Sequence, residues 1–258
     1  MKNCNLINLV AYRGGGVYWT GANGVLTDCT FTNNTAIHGG GIYLTVSSIN
    51  SIITDSIFIN NTAVHGGGIR FEGPNGTLTD SIFIGNAAID NTNNANGGGV
   101  YWTGANGVLT GCTFTNNTAI HGGAVRWAAA NGVLTDCTFT NNTAKSHGGG
   151  VYWGNSDNGT LIHSIFNNNI AISGGGAICS TIPCFMTNCG FVNSRSVNSN
   201  GIYATNNLNI NNGNGIVYIN SESTISGISI VVLNNETYYC PPNTNINFTN
   251  KNTHKLKT

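Results

Sequence analysis

The chain repeats itself about every 25 residues. Residues 14–38 read GGGVYWTGANGVLTDCTFTNNTAIH and residues 97–121 read GGGVYWTGANGVLTGCTFTNNTAIH, differing only at Asp28 against Gly111. Looser copies lie between and after them, with Gly runs beginning at Gly14, Gly39, Gly66, Gly97, Gly122, Gly148 and Gly174. Each unit also carries a Phe, at Phe31, Phe58, Phe83, Phe114, Phe139, Phe166 and Phe191. A fixed period of this length means stacked units, none of which can bury its apolar face alone. It also weighs against a catalytic centre, which needs unlike residues converging once rather than the same residues many times.

Within residues 14–38, Val17-Tyr18-Trp19, Val25-Leu26-Thr27 and Cys29-Thr30-Phe31-Thr32 read as three short strands. Turn signals at Asn23-Gly24, Asp28 and Asn33-Asn34 separate them. Aligning the units gives columns. Val17, Ile42, Ile69, Val100, Val125, Val151, Ala177 and Ile202 are all apolar and should face inward. Tyr18, Tyr43, Arg70, Tyr101, Arg126 and Tyr152 follow, and Arg in that column means outward. Trp19, Leu44, Phe71, Trp102, Trp127 and Trp153 are apolar again. In, out, in is the alternation of a strand. Helix formers are scarce, which excludes helical repeats. The leucine ladder of a leucine-rich repeat is missing, and the period is shorter than the roughly 40–45 residues of a propeller blade.

The expected fold is therefore all-β: a parallel β-helix of about 8–9 coils, roughly 25 residues each, over residues 1–220. Coils about 4.8 Å apart would make a rod on the order of 40 Å long, with Asn side chains free to bond up and down their column. Residues 221–258 read differently and should form an irregular C-terminal β cap and a polar tail. Cys4, Leu6, Ala11 and Arg13 align with Cys29, Phe31, Ala36 and His38, so the chain starts inside a coil and reads as a fragment. No signal peptide is recognisable, and an export signal is expected in a missing upstream region. No apolar run is long enough to predict a membrane span. Charged residues make up 7% of the chain and the net charge is zero, which argues against a nucleic-acid partner.

Two elements alternate at fixed phase. Gly-Gly-Gly/Ala-Val/Ile occurs at Gly14–Val17, Gly39–Ile42, Gly66–Ile69, Gly97–Val100, Gly122–Val125 and Gly148–Val151. Phe-x-x-Asn occurs at Phe31–Asn34, Phe58–Asn61, Phe83–Asn86, Phe114–Asn117, Phe139–Asn142 and Phe166–Asn169, with Ser194 replacing Asn in the last copy. Together they resemble the two halves of the chlamydial polymorphic outer membrane protein repeat over roughly residues 1–200. The Asn- and Thr-rich version is similar to adhesin-like surface proteins of methanogenic archaea. The resemblance implies a right-handed β-helix of the pectate-lyase type, on a cell surface, in adhesion. The chlamydial relatives end in a membrane β-barrel, for which this chain has no room.

Several columns carry chemistry-bearing side chains. Asp28, Asp55, Asp80 and Asp136 could hydrolyse glycosidic bonds or hold calcium, but Gly111 and His163 interrupt them, which favours a turn position. His38, His65, His121 and His147 precede the Gly runs, and Arg13, Asn96 and Ser173 occupy the same column, so a polar turn explains them better than metal. No catalytic residue, metal ligand or cofactor is expected. Cys4, Cys29, Ser56, Ser81, Cys112, Cys137, Ser164 and Cys189 form a small-residue column of inward, unpaired thiols and hydroxyls. A disulfide among Cys179, Cys184 and Cys240, which lie off that column, is a further expectation. Thr30-x-Thr32, Thr113-x-Thr115 and Thr138-x-Thr140 are similar to the Thr arrays of ice-binding helices, but Ile57-x-Ile59 and Ile82-x-Ile84 interrupt them. Asn33, Asn60, Asn75, Asn116, Asn141, Asn158, Asn235 and Asn247 head glycosylation sequons.

The candidate binding stripe is Tyr18, Tyr43, Arg70, Tyr101, Arg126 and Tyr152, where exposed aromatics with interleaved Arg could stack on sugar rings or on a protein. An aromatic ladder that only supports itself is the alternative. The insertion around Asp90–Asn96 is a second candidate. The resulting expectation is a non-enzymatic, extracellular adhesin-like stalk that attaches to glycans or proteins of other cells. A carbohydrate-active lyase or hydrolase and a plain structural spacer are the rivals.

Overall fold

In the computed structural model the chain winds into a right-handed parallel β-helix of about seven regular turns, about 26 residues each. The structure describes residues 1–154, 158–181, 184–192 and 194–196 in full, and beyond them the backbone of seven strands between Ile202 and Phe248.

A turn visits four sheets, not three. Residues 97–121 contribute Val100–Trp102, Val108–Thr110, Thr113–Thr115 and Thr118–His121. The fourth sheet escapes periodicity because strands such as Thr62–Ala63 and Ala87–Ala88 are too short to alternate visibly. Neighbouring turns pair in parallel and in register: Val100 lies between Ile69 and Val125, and Phe114 between Phe83 and Phe139. At the N-terminal end Leu6 pairs with Phe31 and Arg13 with His38, as the aligned columns require.

In-register pairing puts like on like. The Phe rings from Phe31 to Phe191 stack nearly parallel, with centroids 4.5–5.4 Å apart. Phe71, Trp102, Trp127 and Trp153 form a second stack. These columns, with Ile42, Ile69, Val100, Val125 and Val151, make one continuous core. The indole N–H groups of Trp102, Trp127 and Trp153 have no acceptor among the described residues. Packing volume is what this column requires, and it overrides the donor.

One turn departs from the aligned columns. Val151 pairs with Ile178 and not Ala177, so the outward position passes from Tyr152 to Cys179 and the Trp position to Ser180. Likewise Gly174, not Ser173, takes the histidine position and pairs with His147. The left-handed backbone conformation falls on Gly175 there, whereas earlier units place it on the first Gly of the run. Four small residues in succession, Gly174 to Ala177, conceal which of them begins the unit.

The Gly run is a steric requirement. Gly97 has φ 64°, and a Cβ on it would stand 2.1 Å from the Val100 carbonyl oxygen. A Cβ on Gly98 would stand 2.2 Å from the Gly123 carbonyl oxygen of the next turn. At the third position the crowding is less, a Cβ on Gly99 standing 2.9 Å from the Phe114 ring and 3.0 Å from the Ala124 carbonyl oxygen, and Ala124 itself occupies that place in the next unit.

Of the paired asparagines, the first turns the chain and the second holds the stack. Asn33, Asn60, Asn116, Asn141 and Asn168 adopt positive φ, with Gly85 in the same column. Asn34, Asn61, Asn86, Asn117, Asn142 and Asn169 are fully buried. Asn117 Nδ2 donates to Asn142 Oδ1 at 3.0 Å and to the Phe83 carbonyl of the preceding turn at 3.0 Å. Its Oδ1 accepts from the backbone N–H and the Nδ2 of Asn86. Both donors and both lone pairs are thus used, and the pattern recurs from Asn34 until Ser194 ends it.

Ser and Cys alternate in the small column because both donate to the carbonyl two residues back: Ser56 to Thr54 at 2.8 Å and Cys137 to Thr135 at 3.1 Å. Toward the C-terminus, Ile202–Ala204, Ile216–Tyr218 and Ile230–Leu233 extend the Val-Tyr-Trp sheet in parallel. Leu208–Asn211 and Ser223–Ser226 extend the Val-Leu-Thr sheet. The antiparallel strands Glu236–Tyr239 and Asn245–Phe248 then pair with the last strand of each.

Asn117→Ala should unpair the Asn86 amide groups and the Phe83 carbonyl together. At about 1–3 kcal/mol for each orphaned buried group, the loss should be about 3 kcal/mol or more. Asn116→Gly, one residue away, should change stability by only a few tenths of a kcal/mol, since Gly suits the left-handed conformation. Urea unfolding followed by far-UV circular dichroism distinguishes the two.

Candidate functional site

The stripe is a real column. Tyr18, Tyr43, Arg70, Tyr101, Arg126 and Tyr152 pair in sequence across six successive strands. Its exposure is not what an outward column suggests. Only Tyr18 is open, at 47%; Tyr43 is 7% exposed and Arg126 5%. Arg70, Tyr101 and Tyr152 are half-buried. The side chains lie along the column and cover one another: the Arg70 guanidinium sits 5.3 Å from the Tyr43 ring centre and 5.6 Å from that of Tyr101. The histidine column covers them from the side, with His38 against Tyr43, His65 against Tyr101, and His121 and His147 against Tyr152.

Two clusters result. In the first, Arg70 Nε donates to Glu72 Oε1 at 2.7 Å, and Tyr43 donates its hydroxyl to Glu72 Oε2 at 2.8 Å. Burial, then the bond to Glu72, pushes the Tyr43 hydroxyl up to about 12. Arg70 Nη1 lies 2.6 Å from His38 Nδ1. Arg has no acceptor, so His38 Nδ1 accepts and carries no proton. In the second cluster, Arg126 lies over the Tyr152 ring at 3.9 Å. Its Nη1 points at the carbonyls of Trp127, Tyr152 and Gly154.

The stacked histidines are held neutral. Burial and then Arg70 lower His65 to about 4; burial, then His147 and Arg126, lower His121 to about 4. Among the described residues no three His, Cys, Asp or Glu side chains gather in a metal-ligating arrangement.

The Asp column is a corner. Asp28, Asp55, Asp80 and Asp136 all have positive φ, and so do Gly111, His163 and Asn188 in the same place. Gly replaces Asp at position 111 because the position selects for left-handed backbone, which Gly and Asx residues supply. The side chains are exposed, and their ion pairs among the described residues are Lys2–Asp28 at 3.8 Å and His163–Asp136 at 3.5 Å.

Cys179 and Cys184 are buried free thiols, and burial pushes Cys137 and Cys179 up to about 12. Cys240 lies outside the described residues, as do Asn235 and the side chain of Asn247. The other sequon residues, Asn33, Asn60, Asn75, Asn116, Asn141 and Asn158, are exposed at turns. Thr30, Ile57, Ile82, Thr113 and Thr138 share one outward column, so the Thr array is interrupted in space as in sequence. In the insertion, Ala95 is buried beside Ala88, Ala119 and Ile120. Asp90 accepts hydrogen bonds from the Thr92 hydroxyl and the Asn94 N–H, leaving 91–94 exposed. Sequence reasoning missed Glu72; its place two residues after Arg70, on the same face of a strand, was the available signal.

Comparison with known proteins agrees with this geometry. Residues 1–121 match the family model of the right handed beta helix region. Residues 136–152 and 163–181 match that of the Chlamydia polymorphic membrane protein repeat. No curated protein and no solved structure matches the chain. The fold is thus a β-helix, with repeats of the polymorphic membrane protein type at residues 136–152 and 163–181. The two repeat matches contain Phe139, Asn142, Phe166 and Asn169, the residues that stack the core and carry the buried amide ladder.

His65 and His121 refuse protons that the unfolded chain accepts between the ordinary His value of 6.5 and about 4. The unfolded state binds more protons there, so stability is full above 6.5 and falls as pH drops through this window. The thermal midpoint should be lower at pH 5 than at pH 7. The double variant His65→Asn, His121→Asn should flatten that dependence, Asn96 showing that Asn fits the column.

Proposed function

We propose that this chain is a non-enzymatic, surface-displayed β-helical stalk of the adhesin-like type, attaching to glycans or proteins on other cells. One observation carries the reading: the recurring polar residues of the repeat act in the stack itself. The second Asn of each pair bonds the turns, and the Asp and Gly columns turn the chain. The Asn, Asp and Gly columns are thus occupied by structural work, which supports a display scaffold over a lyase or hydrolase. The polymorphic membrane protein type of repeat supports a surface location and the absence of turnover. A rod of stacked turns separates its ends by about 4.8 Å per turn, and many weak contacts along one face add through multivalency.

The burial of Tyr43 and Arg126 supports a second reading, a spacer that binds nothing itself. Protein-coated beads tested for attachment to cells and on a glycan array, with a parallel assay for reducing-sugar release, separate the readings. Attachment without release is expected. Release of reducing ends from any array polysaccharide would overturn the adhesin reading in favour of an enzyme, and absence of attachment would favour the spacer.

A further inference from the structure

The first cluster is closed by a contact that tolerates one protonation state only. Arg70 Nη1 lies 2.6 Å from His38 Nδ1, and a guanidinium can only donate, so the imidazole nitrogen accepts. A proton on His38 would set N–H against N–H. Turning the ring over does not help, because an imidazolium offers no acceptor nitrogen at all. His65, stacked on His38 with ring centres 5.6 Å apart, stands differently. Its Nδ1 faces the Asn96 amide, which can turn over and present its oxygen to a protonated ring. Protonation and the existing contact therefore exclude each other at His38 but not at His65.

The groups around His38 decide which way acid drives the cluster. Arg13 pairs with it from the turn before, and Arg70 reaches it from the turn after. Glu72 is the carboxylate on that side, and both its oxygens are taken, Oε1 by Arg70 and Oε2 by the Tyr43 hydroxyl. Tyr12 and Tyr43 present their rings to His38; Tyr101 and Asp90 face His65. Burial, then Arg70 and Arg13, hold His38 below the ordinary 6.5 against the pull of Glu72. A conformation in which Arg70 has moved off loses the first two of these effects and binds the proton more readily. Falling pH therefore favours that conformation. His38 is half-buried, within reach of solvent.

We propose that the Arg70–His38 contact is an acid-sensitive latch on the stripe: when His38 takes a proton the guanidinium leaves it, and the Tyr43 ring opens to solvent while the β-helix stays wound. Tyr43 is what the contact covers, with Arg70 5.3 Å and His38 5.8 Å from its ring centre. Opening is local because the cluster lies outside the core. The Phe and Trp stacks and the buried Asn ladder hold no side chain that changes charge between pH 7 and pH 4.5. The interior of the Tyr column is thus closed at neutral pH and displayed in acid. Its use in attachment rests on the adhesin reading, whereas the latch itself does not.

The test adds a neutral gadolinium chelate to the whole chain and reads, by NMR, the relaxation it induces in the Tyr43 ring resonances from pH 7 to pH 4.5. The His38 ring resonances give its titration in the same samples, and far-UV circular dichroism reports the β-helix. Tyr18, open at the end of the column, is the internal reference. The expected result is a severalfold rise at Tyr43 that follows the His38 titration curve, with Tyr18 and the circular dichroism unchanged. His38→Asn keeps an acceptor for Arg70 that takes no proton, and Asn96 shows that Asn fits the column. In that variant Tyr43 should stay covered at pH 4.5, whereas in His65→Asn the rise should persist. The proposal is overturned if His38 does not titrate above pH 4.5, or if Tyr43 stays covered while it does. A rise that survives in His38→Asn, vanishes in His65→Asn, or comes only with loss of the circular dichroism signal overturns it too. The match of the two curves in the wild type decides even where a variant fails to fold. No ligand enters the experiment, so its failure is distinct from a failure of coated beads to attach to cells.

Discussion

A column of buried primary amides holds this protein together. A parallel coil must turn where its strands end, and each turn leaves backbone groups that the sheets cannot pair. At the corner after the Phe strand, Asn117 serves three of them: its Oδ1 takes the Asn86 N–H, its Nδ2 takes the Phe83 carbonyl, and its own N–H goes to Asn142. The remaining Nδ2 hydrogen and Oδ1 lone pair link to the next and previous Asn. Only an amide has two donors and two lone pairs in this arrangement, which is why Asn recurs and Asp, with no donor when ionised, does not. With the corner fixed in this way, register follows, and with register come the stacked Phe and Trp rings.

The same register explains why chemistry is scarce in a chain with so many polar residues. A column places identical groups about 4.8 Å apart. Like charges at that spacing repel: Tyr101 separates Arg70 from Arg126, and the Asp side chains that do follow one another, Asp28, Asp55 and Asp80, stand exposed at a corner where water screens them. Neutral groups that both donate and accept suffer no such penalty, and the exposed Asn23, Asn50, Asn75, Asn106 and Asn131 amides bond along their column at 3.0–3.2 Å. Stacking thus favours neutral polar side chains over charged ones.

Much of this was legible from residue types alone. Apolar columns, inward Trp, turning Asp and the Asn ladder all follow from periodicity, because each rests on a contact that recurs in every turn. Three things were not legible. The fourth sheet has strands of two residues in places. The turn at Gly174 to Ala177 offers several equivalent starts, and only the pairing of Ile178 with Val151 chooses among them. The covering of the stripe depends on where the histidine rings lie, and alternation along a strand says nothing about a neighbouring column.

Alternation separates side chains that point into the core from those that do not, but a residue outside the core can still be covered. Tyr43 has Arg70 on its ring face, His38 at its side and Glu72 on its hydroxyl, and is left 7% exposed. Tyr18, with column contacts on one side only, stays open. In a stacked column an interior member therefore spends most of its surface on its neighbours. Surface that differs from turn to turn is therefore found where the column breaks its own rule: at an end such as Tyr18, or at an insertion such as 91–94.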